Sequence, residues 1–429
     1  MPSLTSSPNL PPNLSPTSSL PPLPSLSLDC FPNPALRRDL PYGAARSAIL
    51  GEAALAAARA EITRWPGYQP TPLVALPALA ARLGVAAIHY KDEGSRFGLG
   101  SFKALGGAYA VARLLAREVG RRAGREIAPA DLAEPALRAL CADLTVTCAT
   151  DGNHGRSVAW GARMFGCRCV IYIHATVSDG RRDAIAAYGA EVVRTAGNYD
   201  EAVQQADHDA RAQGWHVISD TSYPGYMDVP RDVMQGYQLM VEEAARALPE
   251  APTHVFVQAG VGGFAAAVCG YFWERAGGAR PVFVVVEPER ADCLYQSARA
   301  GRPVAVGGEL DTLMAGLACG EVSLLAWEVL AQGADAFCRI GDDAAVAVMR
   351  LLARPGGADT PIVAGESAVA GLAAAIAAMQ DEQARAALGL GPHSRLLFIG
   401  SEGDTDPACY AELVGQSGAA VRAAARGAA

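Results

Sequence analysis

The sequence predicts an α/β protein built from open, twisted parallel sheets that helices cover on both faces. From about residue 86 onward, short runs rich in β-branched residues alternate with longer Ala-rich segments of helical period. The strand candidates are apolar along their whole length, which is typical of parallel strands buried on both faces. With 429 residues, 51% of them hydrophobic, the chain is long enough for two packed domains.

The elements follow from these runs in chain order. The predicted strands are residues 86–91, 144–149, 167–173, 191–195, 216–219, 254–258, 282–287 and 395–399. The predicted helices are residues 155–165, 181–188, 199–213, 232–247, 263–275 and 366–379. Because ligands of open parallel sheets bind beyond the carboxyl ends of strands, we expect the functional residues directly after strands.

Composition excludes several classes of function. Lys+Arg 36 against Asp+Glu 44 leaves a net charge of −8, which disfavours nucleic acid as a partner. No uncharged apolar stretch is long enough to span a membrane. The ten cysteines include no C-x-x-C pair, so we expect no metal site and reduced thiols in the cytoplasm. Residues 1–35 are rich in Pro and Ser and are predicted to form a disordered extension.

Two of the 36 basic residues are lysines, Lys91 and Lys103. A lysine amine can lose its proton and attack a carbonyl, whereas a guanidinium cannot. Lys103 follows a Gly-rich turn in which Ser101 can cap a helix that begins at Phe102. The positive end of the helix dipole and partial burial predict that the pKa of Lys103 falls into a reactive range. The alternative is a surface lysine at a helix N-terminus.

Four further turns follow predicted strands. The segment 150–155, Thr-Asp-Gly-Asn-His-Gly, brings small residues and an amide to a strand end. The segment 259–263, Ala-Gly-Val-Gly-Gly, opens a helix whose N–H groups can hold one phosphate. Asp220 and the segment 400–406 complete the set. Each turn alone is equally compatible with an ordinary polar or tight turn.

Together, the motifs G-S-F-K-A-L-G-G, T-D-G-N-H-G, D-T-S-Y, A-G-V-G-G and S-E-G-D-T-D are in family order. Across roughly residues 40–420 the chain resembles the tryptophan-synthase-β-like, fold type II, pyridoxal-phosphate enzymes. Within that group it looks like the diaminopropionate ammonia-lyases. The resemblance implies a cofactor site in the cleft between two parallel-sheet domains, a large one at 36–105 and 216–429 and a small one at 106–215.

The resemblance also implies roles for individual residues. The cofactor would be bound by Lys103 through a Schiff base, Phe102 beside the ring, Asn153 at the phenolic oxygen, Gly260, Val261, Gly262 and Gly263 at the phosphate, and Ser401 or, less favourably, Thr405 at the pyridine nitrogen. Lys103 would take the Cα proton from an L-substrate and Asp151 from a D-substrate. Asp220 would bind substrate or handle protons.

The implied reaction is the elimination of ammonia from 2,3-diaminopropionate to aminoacrylate, which hydrolyses to pyruvate and a second ammonia. Asp151, Glu402 and Asp404 depart from the pattern of serine and threonine dehydratases, and carboxylates attract the second, cationic amino group of this substrate. A serine or threonine dehydratase on the same fold and a non-catalytic pyridoxal-phosphate-binding protein are the alternatives. The resemblance further implies a small-molecule amino-acid substrate and a homodimer.

Overall fold

Two sheets organise the chain. The computed structural model describes residues 22–150 and 152–428. The described residues form the strands β1 Asp29–Pro32, β2 Leu73–Ala75, β3 Ala87–Asp92, β4 Thr145–Ala149, β5 Arg168–Ile173, β6 Glu191–Arg194, β7 His216–Val217, β8 His254–Gln258, β9 Val282–Pro288, β10 Ala336–Ile340 and β11 Arg395–Gly400.

The same residues form seventeen α-helices. They are α1 Gly43–Leu50, α2 Glu52–Ile62, α3 Pro77–Leu83, α4 Lys103–Ala123, α5 Pro135–Ala142, α6 Asn153–Phe165, α7 Asp179–Ala186, α8 Tyr199–Gln213, α9 Asp228–Ala247, α10 Gly263–Ala276, α11 Cys293–Ala300, α12 Leu324–Gly333, α13 Asp342–Ala353, α14 Ala370–Gln380, α15 Glu382–Leu388, α16 Pro407–Val414 and α17 Gly418–Ala428.

The larger sheet has the strand order β1-β10-β9-β8-β11-β3-β2, and the smaller has the order β6-β5-β4-β7. All strands of the smaller sheet are parallel, whereas the larger sheet has a parallel centre and antiparallel edges at β1 and β2. The predicted fold class is therefore confirmed. We call the larger sheet with its helices the large unit, and β4–β7 with α6–α8 the small unit. β7 lies in the small sheet, although the predicted boundary at residue 215 assigned it to the large domain.

All eight predicted strands are present, and the structure adds β1, β2 and β10. Residues 22–35 contradict the predicted disorder, because β1 pairs with β10 and brings Cys30 opposite Cys338. The side chain of Gln380 holds the preceding segment by donating to the carbonyl of Pro24 at 2.8 Å. An edge strand is short and tolerates proline, so composition alone hides it. Residues 1–21 of the predicted extension lie outside the described residues.

The large sheet has an apolar core on each face. Along β8, Val255 and Val257 belong to one core, and Phe256 belongs to the other. Helices α4 and α9 cross closely, since a Cβ at Gly236 would lie 2.1 Å from the carbonyl oxygen of Leu105. This crossing fixes the start of α4, and hence Lys103, relative to the large unit.

The residues that the structure describes contain no helix with the length and apolarity of a membrane span. Nor do His, Cys, Asp and Glu side chains of these same residues gather into a group that could hold a metal ion.

Candidate active site

Lys103 is the first residue of α4, and the chain that leads into it is attached to the end of β11. The N–H of Phe102 donates to the carbonyl of Ser401 at 3.0 Å, and Ser101 forms an isolated antiparallel bridge with Glu402. The predicted cap is therefore wrong, because α4 has no side-chain cap and Ser101 is used in this bridge. The bridge holds Lys103 at the carboxyl end of the large sheet.

Lys103 pairs with Asp220, which follows β7. Lys103 Nζ lies 2.6 Å from Asp220 Oδ2, and each side chain is only about one-fifth exposed, 20% and 21%. Burial alone would lower the pKa of Lys103, but the Asp220 carboxylate outweighs it and holds that pKa above its ordinary value. The predicted fall in the pKa of Lys103 is thus wrong for the protein alone, since residues 117 positions apart in the chain form the pair.

The same pair acts on Asp220. Burial raises the pKa of this carboxyl, but the opposite charge of Lys103, aided by His154, more than offsets the rise and holds the pKa well below its usual range. Asp220 is therefore an anion at neutral pH, and Lys103 is a cation.

The turn that carries Asp220 is fixed from two sides. The hydroxyl of Tyr226 donates to the carbonyl of Val217 at 2.8 Å and accepts from the N–H of Ser219 at 3.0 Å, which closes the turn on β7. The hydroxyls of Ser222 and Ser323 lie 2.7 Å apart, and both residues are buried. Sequence analysis missed these three positioning hydroxyls. No local pattern marks the contact of Ser222 with Ser323 across 101 residues.

The glycine turn lies beside this loop, between β8 and α10. Ser323 N donates to the carbonyl of Val261 at 2.9 Å, which joins the turn to the Asp220 loop through Ser222. A Cβ at Gly263 would lie 3.8 Å from the backbone oxygen of Asp220. The Lys103 amine and the glycine turn predicted to bind phosphate therefore lie close together.

The amides of this turn are positioned for an anion. Gly262 has φ +96°, a left-handed conformation that favours glycine. The carbonyls of Val261 and Gly262 accept protein N–H groups. Within residues 22–150 and 152–428, the N–H groups of Gly260, Val261 and Gly262 donate to no backbone carbonyl or side chain, so they remain available for a ligand at the N-terminus of α10.

Phe102 packs between two aromatic rings, with its centroid 4.5 Å from that of Phe264 and 4.6 Å from that of Tyr237. This stack joins the start of α4 to α9 and to α10 just after the glycine turn. Its role beside a cofactor ring stays a prediction.

Ser401 and Glu402 directly follow β11, and Asn153, the first residue of α6, contacts Glu402. The amide of Asn153 donates to the Glu402 carboxylate. Gln258 Nε2 donates to Ser401 Oγ at 2.9 Å, so the hydroxyl proton of Ser401 is free to be donated to a ligand. Thr405 instead approaches Gly100, where a Cβ would lie 3.2 Å from its methyl group. Asp404 pairs with Arg422 at 2.8 Å, which offsets its charge, and its attraction for a substrate cation stays a prediction.

Asp151 lies outside the described residues, although its neighbours are placed. The hydroxyl of Thr150 accepts the N–H groups of Gly152 and Gly155, at 3.0 Å and 3.1 Å. His154 Nε2 lies 2.7 Å from the carbonyl oxygen of Ile218, two residues before Asp220.

Comparison with known proteins identifies the family to which the chain belongs. A family model described as pyridoxal-phosphate dependent enzyme matches residues 64–401. The chain belongs to this family.

Within the pyridoxal-phosphate enzymes, the chain is similar to curated proteins and to solved structures of one kind of enzyme. A diaminopropionate ammonia-lyase of Salmonella typhimurium is 41% identical over 361 residues, covering 81% of this chain and 89% of that protein. The crystal structure of holo diaminopropionate ammonia lyase from Escherichia coli has a TM-score of 0.81 and 37% identity, covering 92% of this chain and 98% of that one. The same enzyme in complex with an aminoacrylate-PLP azomethine reaction intermediate has a TM-score of 0.80 and 38% identity, over 91% and 97%.

The described residues fit pyridoxal phosphate. The aldehyde of this cofactor requires a primary amine, and its phosphate requires backbone amides without a protein acceptor. Its ring nitrogen requires a hydroxyl that can donate a hydrogen bond. Lys103, the glycine turn and Ser401 supply these groups: Lys103 and the turn both lie next to Asp220, and the Ser401 carbonyl accepts the N–H of Phe102, the residue before Lys103.

The second lysine has a structural role. Lys91 Nζ lies 2.6 Å from Glu243 on α9, and Arg96 lies 2.7 Å from the same carboxylate and 2.8 Å from Glu93. All four side chains are buried. This neutral cluster attaches the short helix Glu93–Gly98, which leads towards Lys103, to α9.

Replacing Lys91 by Met leaves the two buried carboxylates with one cation. We expect a loss of about 3–5 kcal/mol in the free energy of unfolding, measured in urea, because an uncompensated buried charge is costly. The exposed Arg121, replaced by Met, serves as the control and changes the midpoint little. An unchanged midpoint for Lys91→Met would contradict the charge balance described for the cluster.

Proposed function

We propose that this protein is a pyridoxal-phosphate-dependent carbon-nitrogen lyase that eliminates ammonia from 2,3-diaminopropionate and releases pyruvate and two molecules of ammonia. The observation that carries the proposal is the Lys103–Asp220 pair beside the glycine turn, in a chain whose relatives are named for this activity. The ten cysteines are free thiols, which supports the cytoplasm as its compartment. We also propose a homodimer, as the resemblance to the family implies.

The chain's own residues supply attachment, bases and charge. When bound, pyridoxal phosphate delocalises the negative charge that develops at the substrate Cα. Lys103 supplies the amine that joins the cofactor, and its neutral form accepts the Cα proton of the L-isomer at Nζ. Asp220, 2.6 Å away, stabilises the ammonium that results. The amides of Gly260, Val261, Gly262 and Gly263 hold the phosphate.

Two side chains complete the assignment. Ser401 would donate a hydrogen bond to the ring nitrogen, and we prefer it to Thr405 because Gln258 orients its hydroxyl. Asn153, which donates to Glu402, would contact the phenolic oxygen. Glu402 is the buried carboxylate that remains to attract the second amino group of the substrate after Asp404 is paired with Arg422.

Lys103→Arg tests the amine directly, because arginine keeps the charge but forms no imine. We expect pyruvate formation from diaminopropionate to fall by at least about a thousandfold. The matched control is Arg121→Lys, the reverse exchange at an exposed position, with unchanged turnover. Retained turnover in Lys103→Arg would refute the proposal. If the unmodified protein turns over serine or threonine faster than diaminopropionate, a dehydratase is favoured. If it binds the cofactor without any turnover, a non-catalytic binding protein is favoured.

Asp151→Asn tests the assignment of one base to each substrate face. Because Lys103 serves the L-isomer and Asp151 the D-isomer, we expect the rate of pyruvate release to fall by about a hundredfold on D-diaminopropionate and by much less on the L-isomer. The L-isomer is the internal control for folding. Equal losses on both isomers would remove the two-base assignment.

A further inference from the structure

Arg181, in the first turn of α7, connects the small unit to the large unit beside the turn that follows β4. Its guanidinium lies 3.1 Å from Glu366, in the segment before α14, and 3.8 Å from Asp406, which caps α16. Ser178, which caps α7, donates to Asp406 at 3.1 Å. The Arg181 side chain is 19% exposed and that of Glu366 is 6% exposed, so this contact is largely withdrawn from water.

The same side chain covers the turn that follows β4. A Cβ at Gly152 would lie 3.5 Å from Arg181 Cδ, which places the arginine stem directly on the turn. Asn153, the next residue, reaches the large unit through its bond to Glu402. The turn is therefore held between Arg181 on one side and a large-unit carboxylate on the other.

We propose that Arg181 is a positioning residue that holds the small unit closed over the cleft by pairing with Glu366, and so keeps the Asn153 turn against Glu402. The inference rests on the proposed function only for its kinetic test. It assigns the closed position of the small unit chiefly to the ion pair of Arg181 with Glu366, which is shorter than the contact of Arg181 with Asp406.

The charges around Glu366 make this closure sensitive to pH. Among residues 22–150 and 152–428, the charged or titratable groups that face Glu366 include Arg181, Glu402, Asp406 and Cys409. Burial, followed by the repulsion of Glu402, raises the pKa of Glu366 to about 7, against the opposing effect of Arg181. As the pH falls through this value Glu366 gains a proton, so the charge pair with Arg181 weakens below neutrality.

The first test measures closure without turnover, by hydrogen exchange of the backbone amides of residues 152–156 at one fixed pH. We expect Arg181→Gln and Glu366→Gln to accelerate this exchange by about tenfold over the unmodified protein. The control is Arg182→Gln, the next residue of α7, which pairs with Asp179 and Asp183 of its own helix. Exchange in Arg181→Gln equal to that in Arg182→Gln would overturn the proposal.

The second test separates positioning from general damage. With diaminopropionate, Arg181→Gln is expected to raise KM by about tenfold while kcat changes by less than about threefold, and Arg181→Lys to recover part of the loss. A fall in kcat at constant KM would contradict the proposal. If the unmodified protein turns over no diaminopropionate, the proposed function fails, and hydrogen exchange alone still decides the role of Arg181.

The pH arm uses Glu366→Gln, which preserves the shape of the side chain and removes its titration. Relative to Glu366→Gln at each pH, the unmodified protein should protect residues 152–156 more strongly at pH 8 than at pH 6. A constant ratio across that range would refute the dependence on ionised Glu366.

Discussion

The site depends on one electrostatic contact, the pairing of the Lys103 ammonium with the Asp220 carboxylate at 2.6 Å. Lysine is the one basic side chain able to form an imine, yet a half-buried lysine without a counter-charge would be costly to place in a cleft. Asp220 removes that cost. It also holds the pKa of the Lys103 amine above its ordinary value, so this side chain is a cation at neutral pH.

The rest of the structure fixes where this pair lies. Lys103 is held by the close crossing of α4 and α9 and by the bridge from Ser101 to Glu402. Asp220 is held by Tyr226 and by the two buried serines that reach the glycine turn. Helices α4 and α9 belong to the packing around both sheets. The Lys103 amine and the glycine turn therefore cannot move apart without disturbing the core.

The sequence predicted most of the fold and the list of candidate residues, but not how those residues are paired. Continuous apolar runs such as residues 254–258 are detectable locally, whereas the edge strand β1 lies in a Pro-rich stretch and forms only because β10 offers it a partner. The pKa of Lys103 was predicted in the wrong direction, because helix position is local information and Asp220 is not. No sequence motif marked Arg181, because its proposed role depends on its contact with Glu366 of the other unit.

The most direct test of the account is the titration of Lys103 in the protein without cofactor, followed by the ¹³C signal of the lysine Cε. Because the chain has two lysines, the spectrum should hold two such signals, and Lys91→Arg assigns them. We expect the Lys103 signal to titrate above the ordinary range of lysine, and Asp220→Asn to lower its midpoint by at least about one pH unit. A midpoint at or below the ordinary value, unchanged by Asp220→Asn, would contradict the central role of the pair.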